Sequence, residues 1–386
     1  MRLCFVTDTF PPDVNGVAHT LYRLRSLLQA RGQRVDVIVP GDLLSAGLES
    51  GALEPDTAAS GLQLAALPIP GYKGLRFGLP SRSQLRTHWK NHRPDIVYIA
   101  TESPLGFSAS EAARDLALPA VSGFHTNFDY YMRDYSVPML KDLASGYLRS
   151  LHNRVAATFA PSPDVITRLR DQGFHNVRLL SRGIDTTQFA PTHRSDALRL
   201  SWGADENTLV SLLVGRLAPE KNLALAIRTF NAQAAYALST GRKFKAILVG
   251  DGPKRAELES AHPHIHFAGT RSGHDLACHF ASADVFIFPS TSETFGNVVL
   301  EAMASGLVTV AYAYAAAQSH IVDGENGLLA PLHDEAAFIA ASIRALDQSR
   351  WTQWRTQARE TTTHLRWEDV AARFEADLLE ILGNSP

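Results

Sequence analysis

The feature that most limits what this chain can fold into is a repeated alternation. Short runs of β-branched and aromatic residues recur, each followed by a segment long enough for a helix to cross back. The runs are Leu3 to Thr7, Arg34 to Val39, Leu62 to Leu67, Asp95 to Ala100, Ala120 to Phe124, Val155 to Pro161 and Val177 to Leu180. They continue at Thr208 to Val214, Phe244 to Val249, His266 to Gly269, Asp284 to Pro289 and Val308 to Ala311. Apolar runs of this kind suit strands buried on both faces, and alternation with crossover segments predicts parallel, doubly wound α/β sheets. Ligands then belong at the carboxyl ends of the strands.

A chain of 386 residues exceeds one ordinary core, so two domains of about 180 residues each are expected. The polar stretch from Pro191 to Asn207 is the expected linker, which sets domains at 1–190 and 191–366. A net charge of −2 gives no general drive towards nucleic acid. The cysteines are Cys4 and Cys278, without metal-ligand spacing, which fits a reduced, cytoplasmic setting rather than a disulfide framework. The first residues run straight into a strand, with no secretion signal and no apolar run of about 18 residues elsewhere.

The chemistry concentrates in PSTSETFGNVVLEAMASG, from Pro289 to Gly306. A buried strand delivers the loop from Ser290 to Phe295. A helix then starts near Gly296 and Asn297, on the spacing of Val298, Val299, Ala302 and Met303. A loop feeding a helix start presents unpaired backbone N–H groups and partial positive charge, which suits phosphate. Glu293 beside it and Glu301 one turn on are placed to accept hydroxyl hydrogen bonds, so together they suggest a hydroxyl-rich, phosphate-bearing ligand, a sugar nucleotide. Alternatively Glu293 only favours the helix end electrostatically and Glu301 is solvated.

Two more strand ends carry related signals. After Val214 comes GRLAPEKN, where Arg216 and Lys221 are placed to grip a diphosphate beside Gly215, as a fork and a point charge respectively. After Val249 comes GDGP, beginning at Gly250; Arg271 follows the next short strand, where it could approach the base. In the first half, the strand Leu3 to Thr7, the loop Phe10 to Gly16 and the helix after it form a strand–loop–helix unit without GxGxxG. Glu102 lies in TESPLG and His125 in HTNF, both at strand ends. An imidazole there can hydrogen-bond a sugar hydroxyl, although a lone histidine is often structural. Tyr130 and Tyr131 would line an apolar acceptor channel or pack into the core.

Between Asp56 and Asp95 there is no acidic residue, while Lys73, Arg76, Arg82, Arg86, Lys90 and Arg93 stand among Tyr72, Phe77 and Trp89. Such a segment can sit on anionic headgroups, or be a solvated helix and loop.

ETFGNVVLE followed by EAMASG, with GRLAPEKN and GDGP, resembles the donor-site signature of the retaining glycosyltransferases of family 4, which have the GT-B fold. The resemblance spans roughly Leu3 to Pro331 and implies two Rossmann-like domains facing a central cleft. The stripe Trp367, Val370, Ala371, Phe374, Leu378 and Leu382 would then be a last helix, within 367–386, crossing back onto the first domain.

It further implies that Arg216, Lys221 and the helix start at Phe295, Gly296 and Asn297 hold the departing nucleoside diphosphate. Gly16 would lie near the donor phosphates, Gly215 in the phosphate-binding loop, Gly250 near the nucleoside, and Glu301 on the ribose. Glu293 and His125 would touch the transferred sugar, and Asp13, Glu102, Tyr130 and Tyr131 the acceptor. No Asp-x-Asp occurs, so metal bridging of the diphosphate lacks an obvious ligand set, and neither metal nor cofactor is expected.

TESPLG, FHTNFDYYMRDY and SRGIDTTQF look most like bacterial members that glycosylate lipids such as diacylglycerol or phosphatidylinositol, with peripheral contact to the inner membrane face. A soluble sugar or polysaccharide acceptor, an epimerase and a non-catalytic sugar-nucleotide sensor are the alternatives. UDP-glucose, UDP-glucuronate and GDP-mannose all stay open as donors.

Overall fold

The computed structural model describes residues 1–13, 15–41, 62, 64–68, 76–125 and 138–384, with only the backbone for 138–143. The chain divides into two compact units, Met1–Arg182 with Trp367–Pro386, and Gly183–Arg366.

The first unit holds a six-stranded parallel sheet in the order β2-β1-β5-β6-β7-β8. Its strands are β1 (Arg2–Val6), β2 (Arg34–Ile38), β5 (Ile96–Ile99), β6 (Ala120–Gly123), β7 (Ala157–Ala160) and β8 (Val177–Leu179). The run at Leu62 to Leu67 does not join this sheet. Its ordered part is β3 (Ala66–Pro68), paired antiparallel with β4 (Arg76–Gly78) in a separate ribbon. The reason is local: Leu67 and Pro68 are exposed, and a proline cannot donate to a central ladder.

One face of the sheet is sealed by the helix Trp367–Gly383. Its Trp367, Ala371, Phe374 and Leu378 pack with Leu3, Phe5, Tyr98 and Phe159. Phe374 meets Phe159 at 4.9 Å and Tyr98 at 5.2 Å between ring centroids, both edge-on. Burial of one such ring is worth about 1.5–3 kcal/mol. Glu375 on the same helix accepts hydrogen bonds from Arg31 and Gln33, each at 2.5 Å, and Gln33 in turn accepts one from the Met1 amine.

The second unit has a second six-stranded parallel sheet, β11-β10-β9-β12-β13-β14. These are β9 (Thr208–Val214), β10 (Lys243–Val249), β11 (His266–Gly269), β12 (Val285–Phe288), β13 (Val308–Tyr312) and β14 (Leu328–Ala330). All of β9 is buried. Val210, Leu212 and Val214 enter one apolar cluster while Leu209 and Leu213 enter the other, so both faces are covered.

The polar stretch from Pro191 to Asn207 is folded onto this unit rather than serving as a linker. It forms a short 3₁₀ turn, Pro191–His193, and the helix Asp196–Ser201, with Trp202 and Ala204 buried. Arg199 fastens it: buried, it donates to the carbonyls of Ser282 and Thr208 and to the Asp284 carboxylate. Asp284 also accepts from the Val210 amide at 3.0 Å and pairs with Arg194 and Arg355.

Candidate functional site

The carboxyl ends of β9, β10 and β12 carry the glycine loops. After β9 the chain turns at Gly215 and makes a 3₁₀ turn, Pro219–Lys221, before Asn222, with φ 51°, opens the helix Leu223–Ser239. Gly250 follows β10 with φ 135°, and a Cβ there would lie 1.9 Å from the Gly215 carbonyl oxygen. This close approach of two loops is why the position has no side chain.

After β12 comes the loop with Glu293. Its carboxylate pairs with the Lys221 ammonium and accepts the Ser290 hydroxyl at 2.6 Å. Lys221 also stands 5.7 Å from the centre of the Phe288 ring, and Ser292 donates to the Glu220 carbonyl at 3.3 Å. The two loops expected to grip opposite ends of one ligand are therefore tied to each other. Arg216, half-buried, stands in the first of them.

Phe295 is buried, and Gly296, with φ 90° and ψ 58°, caps the helix Asn297–Ala304. Such a conformation favours glycine. The first turn contains no acidic residue, so its end keeps its partial positive charge. Asn297 Oδ1 is buried without a hydrogen-bond partner among the described residues. Glu301, one turn in, makes no hydrogen bond through its carboxylate among the described residues, and desolvation pushes that carboxyl up to about 7. Arg271 is exposed and bound to its own surroundings, donating to the Ala268 carbonyl at 2.9 Å and to Asp275 at 3.0 Å.

In the first unit, Asp13 accepts the Thr9 hydroxyl at 2.9 Å. Asn15, held by the same hydroxyl, caps the helix Gly16–Ala30, leaving Gly16 exposed at its start. His125 is not an open imidazole at a strand end; it is buried with both nitrogens engaged. Arg182 donates to Nδ1 at 2.7 Å, so the neutral ring carries its proton on Nε2, 2.6 Å from the Tyr98 hydroxyl. Burial, and then the Arg182 charge, hold its pKa well below the usual histidine range. The structure thus makes His125 a brace joining β5, β6 and Arg182, which leaves neither nitrogen for a sugar hydroxyl. Tyr130 and Tyr131 lie outside the described residues.

The basic segment also differs from an open membrane-facing surface. In its helix Arg82–Asn91, Trp89 is fully buried, Arg82 pairs with Asp115 and Glu111, and Arg86 approaches Asp115 at 3.6 Å. These acids come from the next helix, Pro104–Asp115, so charges the sequence presents as unopposed are partly neutralised in the fold. Lys73 and Tyr72 lie outside the described residues.

Residues 14–188 match the family described as Glycosyltransferase Family 4, and 208–348 the one described as Glycosyl transferases group 1. The chain is 32% identical to the GDP-mannose-dependent alpha-mannosyltransferase of Mycobacterium tuberculosis, over 97% of this chain and 97% of that protein. The chain belongs to the family 4 glycosyltransferases. This glycosyltransferase is also 27% identical to the alpha-monoglucosyldiacylglycerol synthase of Streptococcus pneumoniae, over 81% of this chain and 71% of that one. Among solved structures, sucrose-phosphate synthase from Thermosynechococcus elongatus superposes with a TM-score of 0.76 at 19% identity, covering 99% of each chain. That likeness, with the two parallel-sheet units, gives the GT-B fold. No helix among the described residues is long and apolar enough to cross a membrane, and no group of three or more His, Cys, Asp or Glu among them could hold a metal ion.

Residues that sequence reasoning missed support both halves of the glycosyltransferase. Ser290 is three positions before Glu293, a Ser-x-x-Glu spacing that is readable locally. His152 is not readable locally. It is buried, bonded through Nδ1 to Ser122 at 2.7 Å, and its Nε2 stands 3.8 Å from Glu102 Oε1; neither of those last two atoms has a hydrogen-bond partner among the described residues. Burial pushes the Glu102 carboxyl up to about 8, helped by Asp8, and holds His152 down near 3.

The sign follows from linkage. A carboxyl raised in the folded state holds its proton while the unfolded chain loses it, so its folding contribution weakens as pH rises from the unfolded value near 4.5 to about 8. Glu102→Gln, which keeps the shape without the charge, should therefore gain stability over the native protein across that window, reaching about 2–4 kcal/mol at pH 8. Denaturant unfolding at pH 5 and pH 8 checks this, and equal differences at the two would refute it.

Proposed function

We propose that this glycosyltransferase moves mannose from GDP-mannose to a hydroxyl of a membrane lipid, with retention at the anomeric carbon and without a resident metal. The observation that carries the reading is the cluster of Lys221, Glu293 and Ser290 beside the helix start at Gly296 and Asn297, where the cap Gly296 has no side chain to take up the first amides. An ammonium and a helix end suit a diphosphate, and a carboxylate already aligned by a hydroxyl suits the sugar beside it.

In this reading Arg216, Lys221 and the backbone N–H groups at Asn297 take the charge that develops on the leaving diphosphate. Glu301 accepts from the ribose, Glu293 from a hydroxyl of the sugar. The acceptor hydroxyl bonds to the anomeric carbon from the face the phosphate leaves, and its proton departs with the phosphate oxygen. GDP-mannose is chosen over UDP-glucose and UDP-glucuronate because it is named in the relative matched over nearly the whole of both chains. A lipid is chosen because the pneumococcal relative is named for a diacylglycerol product. The exposed Lys90 of the basic segment adds to the attraction of an anionic surface. The pairing of Arg82 and Arg86 with acids favours a second reading, a soluble acceptor.

The test has two arms. GDP-mannose should raise the melting temperature more than UDP-glucose or UDP-glucuronate, since saturation at a hundredfold over Kd adds about 2.7 kcal/mol. With that donor, labelled mannose should enter an organic-extractable product when phosphatidylinositol or diacylglycerol vesicles are supplied. Stabilisation by a uridine sugar alone removes the donor; product confined to the aqueous phase moves the acceptor to the soluble class.

A further inference from the structure

The loop that carries Glu293 is held from a second direction. After β13 the chain turns at Tyr314 into the helix Ala315–His320, and Ala315 sits there at φ 51°, where a β-carbon is unfavourable. The Tyr314 hydroxyl donates to the Glu293 backbone carbonyl at 2.7 Å, and the Ala316 amide donates to the Phe295 carbonyl at 2.8 Å. The Glu293 residue is thus fixed at both ends, its carboxylate by Lys221 and Ser290 and its main chain by Tyr314.

We propose that Tyr314 is a positioning residue for transfer: its hydroxyl sets the height of the Glu293 main chain, and so decides where the carboxylate meets the sugar. The proposal rests on the reading of Glu293 as the sugar contact. It also assigns Tyr314 no contact with the nucleotide, which gives a readout that simple loss of folding would not. Only a ligand that carries the sugar should sense the missing hydroxyl; the bare nucleoside diphosphate, held by Lys221 and the helix start, should not.

The experiment uses Tyr314→Phe, Glu293→Gln and the double variant in the full chain, with GDP-mannose as donor and GDP as the sugar-free probe. Tyr314→Phe keeps the ring and removes the hydrogen bond to the Glu293 carbonyl, so kcat/KM for transfer should fall about five- to tenfold while the Kd for GDP stays unchanged. Because Tyr314 acts through Glu293, the double variant should be no slower than Glu293→Gln alone. A GDP affinity that falls in step with transfer, native transfer by Tyr314→Phe, or an undiminished Tyr314 effect on the Glu293→Gln background each overturns the proposal. Native transfer by Glu293→Gln instead overturns the underlying reading of the site, whatever Tyr314→Phe does.

Discussion

Glu293→Ala and Lys221→Ala should each lower transfer by about two to three orders of magnitude, the range seen when one charge-stabilising group is removed from an active site. Their effect on stability should be much smaller than their effect on transfer. The pair is partly buried, with 14% and 20% side-chain exposure, so losing one partner should cost less than the ~3–5 kcal/mol of breaking a fully buried pair. The two losses should also differ in kind. With Lys221 on the diphosphate, as proposed, Lys221→Ala should weaken GDP binding as well as transfer, whereas Glu293→Ala should leave GDP binding nearly native. Steady-state kinetics with calorimetric titration of GDP separates them. Either variant at near-native turnover would refute the role given to that side chain.

Asp284→Ala should have the opposite profile, a structural failure at a position that does no chemistry. Asp284 is 4% exposed and gathers Arg199, Arg194, Arg355 and the Val210 amide at the foot of β12. Its removal leaves the Arg199 guanidinium buried without its counter-charge, a change worth about 3–5 kcal/mol. In a unit of this size each kcal/mol moves the melting temperature by about 2–4 °C, so a loss near 10 °C is expected. Retained backbone-carbonyl partners of Arg199 set the lower end of that range. A melting temperature within about 2 °C of native would show that the carbonyls alone satisfy the guanidinium.

What was legible in the sequence was whatever depends on neighbours along the chain. The strand, loop and helix around Glu293 were readable because buried β-branched runs, glycine and helical spacing are local signals, and the structure builds that unit as Val285–Phe288 followed by Asn297–Ala304. The α/β class was readable for the same reason, and so was the helical stripe of Trp367, Val370, Ala371, Phe374, Leu378 and Leu382, whereas the expectation that this helix returns to the first unit came from the family resemblance.

The errors come from long-range partners. Pro191 to Asn207 looks like a linker because it is polar, yet Arg199 finds acceptors more than eighty residues away, at Ser282 and Asp284. Arg82 and Arg86 look like a free basic face until Asp115 meets them. His125 looks available until Tyr98 and Arg182 occupy it. Tyr314, twenty-one positions beyond Glu293, carries no local mark of its bond.

The helix Trp367–Gly383 has a consequence for biosynthesis. The first unit takes one layer from a segment that follows the whole of the second, so Phe5, Tyr98 and Phe159 lack the contacts of Trp367, Phe374 and Leu378 until that helix has left the ribosome. The second unit, by contrast, has all of its residues once Arg366 is made. At about 5–20 residues per second, the half that starts later is the one that can finish first, and the unit that starts first lacks this aromatic layer until the residues after Arg366 are made.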